Sequence, residues 1–507
     1  MKGVLLLSFE MLMTELPDLA QIANFRGGLG ILGGDIKNGW CLDKKLTAIV
    51  PLYSNCWVNG HGVFYDTIAP KILTLDVLGN TVNVRNITNR NNVFLLGLEC
   101  PSVFDYLYTD NRWRRLQQEI LFGKTVPIVL KTLNIKPDII WLNESHTAVV
   151  LPEIKKDPFS NGSKILFTIH TPELAGNERY DKEWFPELKV SDEFHNYFVQ
   201  NGCMDFTLAA ISMADRINGV CKEHSQTTQE TYPKYTEKVC GIRNGSHQDT
   251  WQNPRLREAG DNIDRFKLWQ IHQEIKKDSL DKLGLNFNLK NPIFGFARRL
   301  VSYKNQYDMI APIIRAICAE RGESVDTVFG KLEGLGMQFL CAGYVADSNC
   351  WAWINEFNKW MQDPLLNKNF VFLQRYDFEL LKLFGWGLDL GLHCPIKKRE
   401  ACGTSTQRWT INGIPTITSK TGGDVEFISE FNPETHEGNG FFIDPYSSYT
   451  VYQKAKAYSQ IYYETIEEKN DTLLYLMENT FESRKKIDIT GTLKLYDNIF
   501  NSFVAVN

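Results

Sequence analysis

The chain has 507 residues, about three times the length of a typical single domain, so two sizeable domains are expected. Hydrophobic residues make up 43% and charged residues 23% of the sequence, which is ordinary globular usage and excludes a chain dominated by disorder. The 60 acidic residues outnumber the 55 basic ones, so the net charge of −5 provides no basic field for a nucleic acid or an anionic membrane.

The chain opens on a short apolar run, KGVLLLSF, which ends at Glu10. Because no small-residue cleavage site follows, this run predicts a buried first strand rather than a signal peptide. No apolar run reaches the roughly 20 residues that a membrane helix needs. The 11 cysteines are scattered without a CxxC pair or a metal-ligand spacing, as is typical of reduced thiols. We therefore expect a cytoplasmic protein without a metal site.

Short apolar, β-branched runs alternate with longer helical stretches in both halves of the chain. In the first half the predicted strands are 4–9, 48–51, 93–98, 139–142, 165–169 and 216–220. In the second half they are 293–297, 338–342, 370–373, 388–393, 415–418 and 440–443. This α/β alternation predicts two parallel sheets covered by helices, each a doubly wound, Rossmann-like domain.

A charged, helical stretch at 253–288 separates the two sets of strands, and we place the domain junction there. The predicted organisation is an N-terminal domain at 1–255, a C-terminal domain at 256–465, and C-terminal helices at 466–507 that pack back across the junction. Ligands of doubly wound domains bind at the carboxyl ends of the strands, so the chemistry is expected in loops that border a cleft between the domains.

Two glycine-rich loops are candidates for binding an anion. The segment RGGLGILGGD at 26–35 has glycines at a density that lets backbone N–H groups approach a phosphate closely. It is neither a P-loop nor a clear GxGxxG fingerprint, and an ordinary tight turn is the alternative. The segment KTGGD at 420–424 offers a second glycine pair, with the same alternative.

Charged residues follow two predicted strands of the second half. Arg299 stands five residues before Lys304, and a guanidinium and an ammonium that converge there would neutralise a phosphate or diphosphate. Taken alone, such a pair is more often a solvated surface. The loop REACGTSTQR at 399–408 combines Glu400 with small and hydroxyl residues, which suits a polyol and a phosphate. Capping of the next helix is the alternative role of Glu400.

Polar residues also follow strands of the first half. His170 ends one predicted strand, the group Asn143-Glu144-Ser145-His146 ends another, and Asn244 follows Ile242. A single histidine at a strand end is more often structural. Their joint placement on the cleft side favours a site.

Eight ordered segments resemble the α-glucan (glycogen and maltodextrin) phosphorylases, chiefly the short prokaryotic type. They are FRGGLGILGGD, WLNESHTAVV, FTIHTPELAGNERYD, IRNGSHQDTW, LWQIHQEIKKDSL, GFARRLVSYKNQ, FVFLQRYD and KKREACGTSTQRWTINGIPT. The resemblance implies the GT-B fold, two Rossmann-like domains that face a central cleft.

The resemblance also implies residue roles. The implied contacts are a glycine loop at Gly27 and Gly28, sugar contacts at His170 and Asn244, a phosphate pair at Arg299 and Lys304, and a sugar and phosphate loop at Glu400, Gly403 and Thr404. Apart from the resemblance, Glu144 and His146 are candidates for the acceptor side, and Tyr376 is a candidate for a contact to the donor nucleotide.

One position departs from the phosphorylases. Their pyridoxal-phosphate lysine lies eight residues after the loop glutamate, and this chain has Arg408 there. A Schiff base needs a neutral primary amine, whereas a guanidinium stays protonated. We therefore expect no covalent pyridoxal phosphate and no phosphorolysis that depends on it.

Downstream the chain is similar to the sugar-nucleotide-dependent glycogen and starch synthases. Their Glu-x-x-Gly loop, their Thr-Gly-Gly loop with Gly422 and Gly423, and their Gly-Phe-x-x-x-Pro-Tyr-like segment are matched in order. Their arginine and lysine, which bind the donor diphosphate, have the same five-residue spacing. Their N-terminal Lys-x-Gly-Gly motif is matched less well, because Phe25 takes the lysine position and Arg26 comes one place later.

These resemblances predict a retaining glucosyltransferase that moves glucose from a nucleoside-diphosphate donor onto an α-1,4-glucan, with no cofactor. Its partners would be a nucleotide sugar and an α-glucan, with no nucleic acid and no membrane. Arg408 either adds charge to the donor phosphate or fills the space of the missing cofactor. Another acceptor such as a small sugar, a residual phosphorylase and a catalytically silent glycan-binding protein remain alternatives. The donor base (UDP or ADP), the acceptor length and homo-oligomer formation stay open.

Overall fold

The computed structural model describes residues 3–58, 61–65, 69–172, 177–320, 336–364 and 366–503. The chain folds into two compact α/β units. The first comprises Met1–Gly245 and Ile489–Asn507, and the second comprises Ser246–Asp488. The end of the chain therefore returns to the first unit.

A mixed sheet forms the centre of the first unit. The strands described in this unit are β1 (Gly3–Leu7), β2 (Lys45–Leu52), β3 (Asn55–Val58), β4 (His61–Phe64), β5 (Lys71–Val77), β6 (Asn80–Arg90), β7 (Val93–Glu99), β8 (Ile139–Asn143), β9 (Lys164–Ile169), β10 (Arg179–Asp181), β11 (Val199–Gln200), β12 (Cys203–Asp205), β13 (Arg216–Gly219) and β14 (Val239–Gly241). The large sheet has the order β14-β13-β9-β8-β1-β2-β7-β6-β5. It is parallel from β14 to β7, and β6 and β5 extend it as an antiparallel hairpin.

Helices connect the strands of this unit. They are α1 (Asp18–Asn24), α2 (Gly28–Asn38), α3 (Arg112–Thr132), α4 (Val150–Lys156), α5 (His195–Phe198), α6 (Phe206–Met213) and α7 (Lys222–Thr231), and the C-terminal helix Ile489–Ser502 joins them. Buried residues of this last helix, including Leu493 and Tyr496, share a hydrophobic core with Val4 and Leu6 of β1.

The second unit has a six-stranded parallel sheet. Its helices and strands are α8 (Gln248–Trp251), α9 (Pro254–Ala259), α10 (Arg265–Leu283), β15 (Ile293–Ala297), α11 (Gln306–Glu320), β16 (Gln338–Ala342), α12 (Trp351–Gln362), β17 (Phe370–Leu373), α13 (Phe378–Gly387), β18 (Leu390–His393), α14 (Ser405–Ile411), β19 (Thr416–Ser419), β20 (Phe441–Ile443), α15 (Ser448–Ile466) and α16 (Thr472–Glu482). The strand order is β17-β16-β15-β18-β19-β20.

The local sequence explains where these elements begin and end. Strands β15 and β16 are buried along their whole length, as expected of parallel strands that helices cover on both faces. Helix α10 begins after Asp264, whose side chain accepts the N–H of Lys267, and it ends at Gly284 in the left-handed conformation (φ 67°).

Each sheet has a point at which the strand order reverses. Strand β1 lies between β2 and β8, and β15 lies between β16 and β18. The helices that leave such a strand and its neighbour run to opposite faces, which opens a crevice at the carboxyl ends of the strands. The candidate loops after β1, β8, β15 and β18 lie at these two points, whereas those after β9, β14 and β19 follow strands farther along the same edges of the sheets.

All twelve predicted strands are present, and the α/β class is confirmed. The second unit begins at Ser246, whereas we predicted a domain boundary at 255/256. The predicted terminal segment 466–507 is divided, because the second unit continues to Asp488 and only the last helix belongs to the first unit. Within the described residues, no helix combines the length and the hydropathy that crossing a membrane requires.

Candidate functional site

Three loops of the second unit leave the carboxyl ends of adjacent parallel strands, β15, β18 and β19. The first loop carries Arg298, Arg299 and Lys304, the second carries Glu400, and the third carries Gly422. Because the carboxyl ends of these strands meet at one edge of the sheet, the three loops lie together there.

Glu400 lies at the centre of an ion cluster. Its Oε2 accepts a hydrogen bond from Arg298 Nη2 at 3.0 Å and another from Lys304 Nζ at 2.8 Å. Burial of the carboxyl favours its neutral form, but the charges of Lys304 and Arg298 outweigh burial and hold the pKa of Glu400 well below its usual range. Glu400 is therefore a carboxylate at physiological pH.

The cations in this cluster outnumber the carboxylate. Burial, followed by the charges of Arg298 and Arg299, lowers the pKa of Lys304 to about 7, although Glu400 opposes the shift. Arg298 is only 3% exposed, and its Nε and Nη1 have no hydrogen-bond partner among the described residues. Buried guanidinium N–H groups without acceptors are costly, so the cluster is arranged to receive an anion.

The predicted pair of Arg299 and Lys304 is brought together, since the charge of Arg299 acts on Lys304. The arginine that bonds Glu400, however, is its neighbour Arg298, which the sequence analysis did not single out. Arg298 is buried and Arg299 is partly exposed. The five-residue spacing before Lys304 pointed to Arg299 and not to Arg298.

The glycines of the second unit allow the loops to approach closely. Gly422 has φ +64°, and a Cβ there would lie 2.6 Å from the backbone oxygen of Glu400 and 2.8 Å from that of Ala401. The N–H of Gly423 donates to the Ala401 oxygen at 3.0 Å. The Thr-Gly-Gly loop is thus packed directly against the glutamate loop, as its predicted role requires.

Gly403 and Thr404 form the turn that leads into α14. A Cβ on Gly403 would lie 2.9 Å from Nε2 of His393, so the backbone of this turn rests on the imidazole edge. Thr404 is buried, and its hydroxyl oxygen accepts a hydrogen bond from Arg408.

Sequence analysis missed His393 and Asp424. His393 Nδ1 lies 2.6 Å from Asp424 Oδ2, and His393 Nε2 lies 3.9 Å from Glu400 Oε2. The only signal in the sequence was that His393 ends a predicted strand and that Asp424 directly follows the glycine pair.

Arg408 lies on α14 with its side chain buried. Its Nη1 donates to Thr404 Oγ1 at 3.2 Å, and its guanidinium lies over the Trp251 ring, 4.9 Å from the centroid. The guanidinium thus occupies a place between a hydroxyl of the phosphate loop and an aromatic face.

Tyr376 follows β17, and Tyr344 follows the neighbouring strand β16. Their rings meet edge to face, with centroids 5.5 Å apart. Both tyrosines lie beyond the carboxyl ends of the sheet that carries the charged loops. Sequence analysis named only Tyr376.

In the first unit, the glycine loop leads into α2 as predicted, but its first amides already have an acceptor. Glu10 Oε2 accepts the N–H of Arg26 at 2.6 Å and the N–H of Gly27 at 3.1 Å. Helix α2 begins at Gly28, so the Glu10 carboxylate lies at the positive end of that helix. The N–H of Gly27, which we predicted to face a donor phosphate, is bonded to an internal carboxylate.

Three other predicted residues of the first unit lie together. The backbone N–H of His170 donates to Glu144 Oε2 at 2.9 Å, and His170 Nε2 lies 2.9 Å from Asn143 Oδ1. Desolvation, followed by the charge of His224, lowers the pKa of His170 to about 3, so its ring is neutral at physiological pH. Burial raises the pKa of Glu144 to about 7, against the charge of His146.

His146 is held by carboxylates of the protein itself. Its Nδ1 lies 3.4 Å from Glu119 and 3.3 Å from Glu178. Burial alone would lower the pKa of His146, but its bonds to Glu119 and Glu178 outweigh burial and raise it to about 9. Glu119, His146 and Glu178 are close enough to hold a metal ion, but Arg112 and Arg115 already pair with Glu178 and would oppose a cation. This group is a buried ion-pair network.

Asn244 is buried in the first unit, just after β14, and its backbone N–H donates to the oxygen of Val220 at 3.2 Å. Because β9, β13 and β14 are neighbours in the sheet, Asn244 and His170 both follow strands at the same end of the sheet.

The chain is similar to known α-glucan synthases and phosphorylases. Residues 41–241 match the family model of the starch synthase catalytic domain. A maltodextrin phosphorylase of Thermococcus litoralis is 24% identical over 82% of this chain and 62% of its own. A glycogen synthase of Mycoplasma mobile is 24% identical over 71% of this chain and 74% of its own, and a glycogen phosphorylase of Mycobacterium bovis is 23% identical over 77% and 58%. The chain thus spans about three fifths of the length of the two phosphorylases.

A solved structure matches almost the whole chain. It is the catalytic domain of starch synthase IV from Arabidopsis thaliana bound to ADP and acarbose, with a TM-score of 0.74, 19% identity and coverage of 99% of both chains. The fold is GT-B. The predicted resemblance to both α-glucan phosphorylases and glycogen synthases is likewise confirmed.

Proposed function

We propose that the protein is a retaining glucosyltransferase that transfers glucose from a nucleoside-diphosphate glucose to the non-reducing end of an α-1,4-glucan. The match to the starch synthase catalytic domain and the similarity to glycogen synthases support this class of reaction. The starch synthase whose structure matches was solved with ADP and acarbose, which supports a nucleotide and a glucan-like sugar as the ligands of this fold.

The observation that carries the proposal is the buried excess of cations around Glu400. Two nitrogens of Arg298, Nε and Nη1, have no acceptor among the described residues, and burial together with the positive charges beside it shifts Lys304 towards its neutral form. A leaving diphosphate, on which negative charge develops, would accept hydrogen bonds from Arg298 and would favour the charged form of Lys304. The Thr-Gly-Gly loop and Thr404 lie at the same edge of the sheet and would contribute further hydrogen bonds.

The residues do not fit covalent pyridoxal phosphate. Arg408, at the position of the phosphorylase lysine, is a buried guanidinium bonded to Thr404 and placed over Trp251, and it has no neutral amine for an imine. Because phosphorolysis in the similar phosphorylases depends on that cofactor, synthesis from a nucleotide sugar is the better supported direction.

The proposed step uses the diphosphate as both leaving group and base. The bond between the glucose C1 and the diphosphate oxygen breaks, and a bond from C1 to the acceptor oxygen forms on the same face. The acceptor proton passes to the leaving phosphate oxygen. Glu400 would hold the sugar hydroxyls and favour the positive charge at C1, while Arg298, Arg299 and Lys304 stabilise the departing diphosphate.

Residues of the first unit are proposed to contact sugar. His170 is neutral, so it would bond a hydroxyl as a donor or acceptor and not as a cation. Asn244 and Glu144 are the other proposed sugar contacts, in line with the resemblance. His146 would act on the acceptor side without touching the sugar itself, because its ring is already paired with Glu119 and Glu178.

A cytoplasmic location is also proposed. Cys56, Cys100 and Cys341 are buried free thiols, which suits a reducing compartment.

The experiment is to incubate the protein with glycogen and either UDP-glucose or ADP-glucose, and to follow nucleotide release together with glucan elongation. The proposal predicts release that depends on glycogen for at least one donor. A parallel reaction contains glucose-1-phosphate and glycogen. Elongation in that reaction alone, by a protein with pyridoxal absorbance, would show a phosphorylase instead. Nucleotide release with a small sugar but not with glycogen would reassign the acceptor.

A further inference from the structure

A buried histidine–aspartate pair lies directly beneath the glutamate loop. His393 ends β18, Asp424 follows the glycine pair after β19, and each side chain is 1% exposed. His393 Nδ1 lies 2.6 Å from Asp424 Oδ2.

The hydrogen bonds around Asp424 fix the tautomer of His393. Thr418 donates to Asp424 Oδ2 at 2.6 Å, and Thr406 donates to Oδ1 at 2.8 Å. A carboxylate only accepts hydrogen bonds, so the imidazole nitrogen that faces it, Nδ1, must carry a proton. The ring is thereby held in one orientation with Nε2 on the opposite edge.

Nε2 points at the glutamate loop. It lies 3.9 Å from Glu400 Oε2 and is buried without a hydrogen-bond partner among the described residues. A Cβ on Gly403 would lie 2.9 Å from Nε2, so the imidazole edge touches the backbone of the same loop. A closing movement of about 1 Å would bring Nε2 and Glu400 to hydrogen-bond distance.

We propose that His393 and Asp424 are positioning residues that hold the Glu400 carboxylate, through Nε2 of His393, where the donor sugar needs it. When Nε2 also carries a proton, it donates to Oε2 of Glu400, the same oxygen that accepts from Arg298 and Lys304. The proposal rests on the proposed function, since the role of Glu400 is part of it. His393 and Asp424 would support, from behind, the side chains that touch the donor.

A second buried histidine–aspartate pair in the same unit provides a matched control. His272 Nε2 lies 3.2 Å from Oδ1 of Asp389. Asp389 is the residue that directly precedes β18. Asp389 also bonds Lys276 and the backbone of Ile293, so it remains paired when His272 is replaced. This pair lies at the opposite end of β18 from His393.

The decisive comparison is between two replacements of His393. In His393→Gln the side-chain amide nitrogen takes the position of the imidazole Nε2, next to Glu400. In His393→Asn the shorter side chain places its amide nitrogen only at the position of Nδ1, next to Asp424. Positioning through Nε2 predicts that the Gln variant keeps a kcat about tenfold higher than the Asn variant, with KM for the donor changed less than kcat. A purely structural pair predicts the reverse, because Asn preserves the bond to Asp424.

The same two replacements of His272 should leave kcat equal to each other and close to that of the unmodified protein. Thermal unfolding of all four variants separates loss of fold from loss of positioning. Equal kcat values for the two folded His393 variants, or a higher value for Asn, would overturn the proposal.

A second measurement does not need turnover. In a long-range ¹H–¹⁵N spectrum, the His393 ring should show a protonated Nδ1, and Glu400→Gln should shift its Nε2 signal while leaving the His272 ring unchanged. An unchanged His393 signal would overturn the positioning role even in an active enzyme. If the protein transfers glucose from no nucleotide sugar yet the Nε2 signal responds to Glu400→Gln, the contact stands and the proposed function fails.

Discussion

The charge of Lys304 depends strongly on its surroundings. Burial and the charges of Arg298 and Arg299 push it towards the neutral amine, and Glu400 alone opposes them, so its pKa is about 7 in the ligand-free protein. A diphosphate beside it would add negative charge and raise the pKa again. Binding of the donor and protonation of Lys304 are therefore linked.

This linkage predicts a pH dependence with a defined sign. Above pH 7 the ligand-free lysine has lost its proton, so binding of a nucleoside diphosphate at pH 8 should take up a proton, and affinity should fall as pH rises through 7. Calorimetry at pH 8 in two buffers of different ionisation enthalpy measures the uptake. Lys304→Arg, whose guanidinium stays charged, should abolish the uptake, and proton release by the unmodified protein would contradict the argument.

Glu400 is predicted to be needed for turnover and not for folding. The neutral amide of Glu400→Gln keeps the size of the side chain but leaves Arg298 and Lys304 without a balancing charge. Turnover should fall on the order of 100-fold, and the circular dichroism spectrum should not change. Glu434→Gln, at an exposed position, is the control. Unchanged turnover of a folded Glu400→Gln protein would remove this residue from the site.

At the scale of elements, the site depends on two loops that touch through glycine. A Cβ on Gly422 would overlap the backbone of Glu400 and Ala401, and φ of +64° is strained for any L side chain. The loop after β19 cannot keep its contact with the loop after β18 unless this position is glycine.

Gly422→Ala is therefore predicted to lower the free energy of unfolding by about 2 kcal/mol or more and to reduce activity. Gly284→Ala is the matched control, since Gly284 has a similar φ of +67° but open space around its Cβ position. The control should cost only about 1 kcal/mol and leave turnover unchanged. Denaturant unfolding and donor turnover measure both, and equal losses in the two variants would show that loop contact is unimportant.

The sequence predicted the parallel strands well because strands buried on both faces are continuous apolar runs, such as IFGFA in β15. It missed β6, whose residues NTVNVRNITNR are mostly polar and pair in an antiparallel hairpin with one solvated face. Strand ends next to the reversals of strand order located the charged loops correctly.

The contacts within those loops could not be predicted from the sequence. Spacing singled out Arg299, while folding turned Arg298 onto Glu400. The high density of glycines suggested that the backbone N–H of Gly27 is available to a ligand. In the structure, the carboxylate of Glu10, sixteen residues before Arg26, accepts the N–H groups of Arg26 and Gly27. Such contacts join segments that are distant along the chain, so no local pattern encodes them.

On the scale of the whole molecule, each of the two doubly wound units places its candidate residues in loops at the carboxyl ends of its parallel strands. The second unit carries the buried cations, and the first carries the neutral His170 with Glu144 and Asn143 beside it.

Calorimetric titration with ADP and with UDP measures whether the buried cations of the second unit receive a nucleoside diphosphate. We expect saturable binding of at least one of the two nucleotides, with a stoichiometry near one per chain. This binding should be lost in Lys304→Met and kept in the exposed-lysine control Lys359→Met. Absence of binding to every common nucleoside diphosphate, in a protein that is folded, would contradict this expectation.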